Sequence, residues 1–208
     1  MTDVAPAPHR PTAGLLARLA GEIRPFARMS ALVAVPAVSW AVWASGPSWA
    51  TPAVVVLALA GSALAVIDAR THRLPNAIVY PATAVAGVLL VLAAAAGALT
   101  GGPSWEALWR AELGFAAHGG FYAVTYLIFR GTGVGLGDVK LAGILGAVTA
   151  WFGWDVFLLG MTAPYLVAGV VVVILLLLRV VGRKSYIPFG PFMLLGVVVA
   201  LTWARLGS

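Results

Sequence analysis

Two aspartates in this 208-residue chain are placed where chemistry is possible. Asp138 closes the run Gly131-Thr132-Gly133-Val134-Gly135-Leu136-Gly137, which has four glycines in seven residues, and Val139 and Lys140 follow it. Asp68 ends a separate apolar run. An ionisable side chain among membrane-spanning segments is costly and is a functional candidate by default. Two neighbouring carboxylates can hydrolyse an amide without a metal or a covalent intermediate. The ionised one takes a proton from water, and the protonated one hydrogen-bonds the scissile carbonyl. Sharing one proton is natural for such a pair, because the first charge opposes the second, and the titration belongs to both. Glycines allow the backbone to leave regular geometry, so a polar, irregular pocket between helices is expected at the glycine run. Each aspartate also has a purely structural reading. Asp138 precedes a helix and reads as its N-cap. Asp68 reads as a helix-end anchor paired with Arg70 or Arg73.

The elements that must position these residues are apolar. Hydrophobic residues make up 62% of the chain and charged residues 10%, and the mean hydropathy is +0.99. Soluble domains have roughly 45–50% apolar and about 25% charged residues. The composition predicts an all-α polytopic membrane bundle and excludes an ordinary soluble domain. There are no cysteines, so disulfides and cysteine-based zinc sites are excluded. The net charge of +6 reads as membrane-flanking anchors rather than a nucleic-acid surface, because the cations fall at segment ends.

Met1–Pro11 is rich in proline and alanine and reads as disordered. Thr12–Arg28 has helical apolar spacing broken at Pro25 and reads as an amphipathic surface helix. Together, residues 1–28 form a cytosolic N-terminal segment, and 29–207 form the membrane domain. Seven spans are expected: Met29–Ser45, Thr51–Ile67, Ala77–Leu99, Trp105–Phe129, Val139–Phe152, Val156–Leu178 and Ile187–Trp203. Pro75 falls near the start of the third, where its missing N–H is no loss. Several of these runs are lean against the roughly 17–25 residues that a span needs.

Orientation follows from the cations. With the N-terminus in the cytosol, Arg10, Arg18, Arg24, Arg28, Arg70, Arg73, Arg130, Lys140, Arg179, Arg183 and Lys184 fall on the cytosolic side. Arg110 and Arg205 are left for the other side, so eleven of the thirteen Lys and Arg are inside. This positive-inside asymmetry places Asp68 and Asp138 at the same cytosolic membrane edge.

Other polar residues read as structural. His118 suits an interhelical hydrogen bond. Arg110 and Glu112 suit snorkelling or local pairing, and Asp155 suits a helix cap. Gly143 and Gly146 suit close helix packing. His72, between Asp68 and Pro75, is close enough to tune the first acid, but that role is discounted in favour of a structural one.

Gly135-Leu136-Gly137-Asp138-Val139-Lys140-Leu141 resembles the GxGD motif of the type IV prepilin peptidases, which are intramembrane aspartic endopeptidases. Asp68 followed by Leu74-Pro75-Asn76 is similar to that family's first aspartate and its short polar stretch. Tyr186-Ile187-Pro188-Phe189-Gly190-Pro191-Phe192 resembles its last characteristic segment. The three occur in the family's order, and the resemblance spans about residues 52–207. It implies catalytic roles for Asp68 and Asp138 and supporting roles for Gly135, Gly137, Lys140, Pro75 and Asn76. It implies no metal and no cofactor. The implied substrate is a pilin or pseudopilin precursor of a type IV pilus or secretion system. Such a precursor has a short basic leader and a hydrophobic helix, and is cut at the cytosolic face, commonly after a glycine. Bifunctional members carry a segment with paired cysteines and N-methylate the product. The lack of cysteine and the short N-terminal segment lead to the expectation of a peptidase-only form whose first span is an addition to a six-span core. The rival reading is a proton-coupled transporter or channel using the same carboxylates. No internal repeat supports it, and both acids lie at one membrane edge.

Overall fold

A computed structural model describes residues 14–129, 134–180 and 188–207. The disorder expected of Met1–Pro11, Gly131–Gly133 of the glycine run, and Tyr186-Ile187 fall outside the described residues. The described chain is all-helical. Helix α1 spans Leu15–Ile23, and a 3-10 turn, Arg24–Phe26, carries the interrupting Pro25 into α2. Seven long helices follow: α2 Ala27–Ser45, α3 Thr51–Thr71, α4 Asn76–Thr100, α5 Trp105–Ile128, α6 Leu136–Phe152, α7 Trp154–Leu177 and α8 Gly190–Gly207. They correspond one for one with the expected spans.

Two shifts in boundary matter for the aspartates. Helix α3 runs a full turn past Ile67, so Asp68 lies inside its last turn. Helix α6 starts at Leu136, so Asp138 is its third residue and does not precede the helix. Helix α3 then ends at His72, which takes the left-handed conformation (φ 52°) and returns its N–H to the Asp68 carbonyl at 2.8 Å. Pro75 is the N-cap of α4, one position earlier than expected, and its carbonyl accepts the Ile78 and Val79 N–H groups.

Five stretches are long and apolar enough to cross a membrane: Leu15–Ser45 together, α3, α4, α7 and α8. Helix α5 misses this description because Glu106, Arg110, Glu112 and His118 lower its hydropathy. Helix α6 misses it by length, at 17 residues. These two form the most extensive helix pair in the bundle, and α6 is buried over nearly its whole surface from Leu141 to Trp151.

Their close approach is a glycine effect. A Cβ at Gly114 would meet the Gly146 carbonyl oxygen at 2.5 Å, and one at Gly146 would meet the His118 Cβ at 2.6 Å. A Cβ at Gly143 would press on the Phe115 ring at 2.7 Å. The packing role expected for Gly143 and Gly146 is therefore what the bundle uses. Among the described residues, Arg110 pairs with no acid. It donates to the Ala150 and Trp151 carbonyls (3.3 and 3.1 Å) and caps the C-terminal end of α6, where cations are favoured.

Candidate active site

Asp68 and Asp138 are both buried, each 5% exposed. They come from different helices, α3 and α6, and lie within electrostatic reach of each other. Leu74, in the connector after α3, ties the two positions together. A Cβ at Gly137 would stand 2.8 Å from the Leu74 Cβ, and one at Gly190 would stand 3.4 Å from the Leu74 Cδ2. The same added Cβ at Gly190 would lie 2.7 Å from the Asp68 Oδ2. One leucine thus fills the space between the segments that carry both carboxylates.

Each carboxylate is held by one backbone amide. The Gly135 N–H donates to Asp138 Oδ2 at 2.8 Å, the return bond of a helix N-terminus made by its third residue. The Gly190 N–H donates to Asp68 Oδ2 at 3.1 Å across 122 residues of sequence. Charge-assisted bonds of this kind orient a carboxylate and stabilise its ionised form. Among the described residues, the Oδ1 of each aspartate makes no hydrogen bond.

The structural reading of Asp138 is therefore half right, since it serves a helix start without being the N-cap. The anchor reading of Asp68 fails. Arg70 turns to the Met29 sulfur (3.3 Å) on α2, and among the described residues neither Arg70 nor Arg73 pairs with Asp68. His72, for which the sequence favours a structural role over tuning the acid, does lie within electrostatic reach of Asp68.

Neither glycine of the motif takes an unusual backbone conformation, and only Gly137 is required for room. Gly135 is extended (φ −87°), a conformation open to any residue, and Gly137 is in the first turn of a regular helix. Gly137 has to be small because Leu74 leaves no room for a Cβ. Lys140 and Asn76 meet directly: the ammonium donates to Asn76 Oδ1 at 2.9 Å and stands 5.1 Å from the centroid of the Tyr80 ring. Lys140 thus pins α6 to the start of α4, and Pro75 sets that start. Of the five expected supporting residues, Gly135 touches a carboxylate, Gly137 packs on Leu74, and Lys140, Asn76 and Pro75 join α6 to the start of α4.

Sequence reasoning missed an aromatic cluster that holds Gly190. The Phe189 ring packs against Tyr165 (5.3 Å between centroids), Tyr122 and Phe192 (6.2 Å each). Tyr122 is fully buried, and both tyrosines are within electrostatic reach of Asp138. The recurrence of Phe and Tyr at 189, 192, 165 and 122 was the available signal, but it is scattered over three helices. The interhelical hydrogen bond expected of His118 is met only in part, by the Ala142 backbone on α6. The Ala142 backbone approaches its ring short of full bonding geometry, and both ring nitrogens are buried without another partner. His118 packs edge-on against Tyr122 and Phe157. No group of three or more metal-ligating side chains occurs among the described residues.

A bundle of apolar helices with two buried carboxylates on separate helices is the architecture of a polytopic membrane protein. Comparison with known proteins gives the family. Residues 55–181 match the model of the type IV leader peptidase family, and the chain belongs to that family. It is 30% identical over 164 residues to the prepilin leader peptidase/N-methyltransferase of Stutzerimonas stutzeri, covering 79% of this chain and 54% of that protein. It is 31% identical over 165 residues to the protein of the same description from Pseudomonas aeruginosa, covering 79% of this chain and 53% of that one. The chain thus spans about half the length of the curated relatives it matches. No solved structure matches it.

Proposed function

We propose that this protein is an intramembrane aspartic endopeptidase that removes the short basic leader from type IV prepilin-like precursors at the cytosolic face of the cytoplasmic membrane. The observation that carries the reading is the pair of buried carboxylates, Asp68 and Asp138, each oriented by one amide and close enough for one charge to act on the other. Family membership supports the prepilin substrate class. One carboxylate, ionised, takes a proton from a water molecule as that water attacks the scissile carbonyl carbon. The other, protonated, hydrogen-bonds the carbonyl oxygen. The proton gained by the base then passes to the departing amine as the C–N bond breaks. The amides of Gly135 and Gly190 hold the carboxylates in place through this exchange, and Lys140, Asn76 and Pro75 hold the helices that carry them. No metal or cofactor takes part in this scheme.

The eleven-to-two cation asymmetry supports seven spans with residues 1–28 and the carboxylates on the cytosolic side. A leader entering from that side meets the aspartates before the membrane interior. The reading covers the peptidase step alone.

The test is cleavage of a co-expressed prepilin-like precursor, read by gel shift, for wild type, Asp68→Asn and Asp138→Asn. Asparagine keeps the size and polarity but cannot ionise. Uncleaved precursor with both variants, each inserted at wild-type level, is the expected result. Normal cleavage by either variant would falsify the two-carboxylate mechanism. A wild type that cuts no precursor of this class would move the transporter reading ahead.

A further inference from the structure

An apolar groove of about 440 Å³ opens between α2, α3 and α8. Its floor is α3 from Val54 to Ala65. One wall is α2 at Val33 and Pro36, and the other is α8 from Pro191 onward. We propose that this groove seats the hydrophobic helix of the precursor and delivers the bond in front of that helix to Asp68 and Asp138. The proposal rests on the peptidase reading and names the part of the enzyme that reads the substrate's apolar half.

Four features select this occupant. The first is continuity with the carboxylates. Ala65 precedes Asp68 by three residues, about 4.5 Å of helix rise, and Pro191 follows Gly190, whose N–H holds Asp68. The second is polarity of direction. At the far end, the Trp40 indole N–H on α2 donates to Thr202 Oγ1 on α8 at 2.9 Å and bridges the two walls. The groove is therefore bridged away from the acids, and its other end, at Ala65 and Pro191, lies toward Asp68. The third is length. Val54 to Ala65 spans about 16 Å, room for about three turns of a helix lying alongside.

The fourth is the surface of the floor. Ala58, Ser62 and Ala65 fall on one face of α3 at spacings of four and three, and small residues let a second helix backbone come close. Ser62 Oγ already donates to the Ala58 carbonyl at 2.7 Å, so it asks nothing polar of an occupant. An acyl chain would also fill an apolar groove, but it has no bond to present at the end nearest Asp68. A precursor has one, at the junction of its leader and its helix. Both walls lie outside the matched residues 55–181, so the groove joins walls from outside that region to a floor that, Val54 aside, is within it.

The test uses the full chain in native membranes with Asp138→Asn, which holds the precursor uncut. A photoreactive p-benzoylphenylalanine replaces Val33, which is 42% exposed and tolerates bulk, or Val170 on the outer face of α7, 61% exposed, as the control. The co-expressed probe is a precursor with a basic leader, a glycine before the cut and an apolar helix of about 20 residues. Irradiation is expected to join the precursor to the Val33 position at least tenfold more than to Val170. In parallel, Ala58→Trp in the otherwise wild-type chain fills the floor and is expected to slow cleavage tenfold or more, while Val170→Trp leaves it unchanged. Cleavage by wild type with only lipid captured at Val33 overturns the groove and leaves the peptidase standing. Capture at Val33 without wild-type cleavage keeps the groove and sinks the peptidase. Failure of both overturns both.

Discussion

The two carboxylates are held in opposite ways. Asp138 is held by its own helix start: Gly135, three residues earlier, supplies the amide at 2.8 Å, and the first turn of α6 builds both partners at once. Asp68 is held by a residue 122 positions away, at 3.1 Å, on a helix that reaches it only when α3, α5, α7 and α8 have packed. The aromatic contacts of Phe189 with Tyr122 and Tyr165 fix that distant amide. One acid is therefore set by local structure and the other by tertiary assembly. Perturbations of packing should reach Asp68 first.

The largest effects test whether this difference in anchoring ends in one functional unit. Asp68→Asn and Asp138→Asn should each lower cleavage by about 10²–10⁴-fold, and the double variant should be no worse than the more damaging single one. Precursor processing rates in membranes check this. Additive losses would mean that the two acids act separately and that their different anchoring is a difference of role.

Next come the two glycines that supply the amides, where the comparison predicts unequal outcomes. A Cβ at Gly190 would lie 2.7 Å from Asp68 Oδ2, so Gly190→Ala must displace the carboxylate. A displacement of about 1 Å costs about 10²-fold in rate. A Cβ at Gly135 would lie 3.4 Å from Asp138 Oδ2, an ordinary contact, and its φ of −87° suits alanine. Gly135→Ala should therefore stay within about threefold of wild type, the scale of a substitution that disturbs no buried feature. Equal losses at the two positions would remove the distinction between local and tertiary anchoring. Phe189→Leu sharpens it further. It keeps the site apolar but forfeits aromatic pairs worth about 0.5–1.5 kcal/mol each. Cleavage should fall several-fold while Asp138 stays in place.

What the sequence made legible divides along the same line. The helices were readable because each is a long apolar run ended by glycine, proline or polar residues, as at Gly46-Pro47-Ser48-Trp49 and Thr100–Ser104. Asp138 with its two glycines was readable because its support is local and therefore written contiguously. The Lys140–Asn76 contact was foreshadowed only as membership of two motifs, since nothing in either segment specifies the 64-residue pairing. The amide of Gly190, the wedge of Leu74 and the tyrosine cluster were not readable, because each depends on how segments distant in sequence cross. Arg110 was misread for the same reason: its partners are backbone carbonyls of a helix 40 residues on. The glycines of the motif suggested irregular backbone, but one is extended and one is helical. Sequence shows that a residue is small and not whether the smallness serves conformation or room.

Lys140 gives the smallest expected effect and the finest test. It sits two residues after Asp138, and its cation invites the reading that it acts on that carboxylate. The structure turns it the other way, to Asn76 Oδ1 at 2.9 Å and the face of Tyr80 at 5.1 Å. Lys140 is thus a tie between α6 and α4. Lys140→Met keeps the apolar stem and removes the charge. It should cost about 0.5–1 kcal/mol of stability for an exposed cation–π contact and change cleavage by only a few-fold. A thermal melt of the detergent-solubilised protein and a processing rate measure the two separately. Tyr80→Leu should give a similar loss, and the Lys140→Met/Tyr80→Leu double variant should lose less than the sum, as for residues in contact. A loss of cleavage near that of Asp138→Asn, with the melt unchanged, would place the lysine charge on the acid during catalysis. The support of Asp138 would then reach beyond its own helix start.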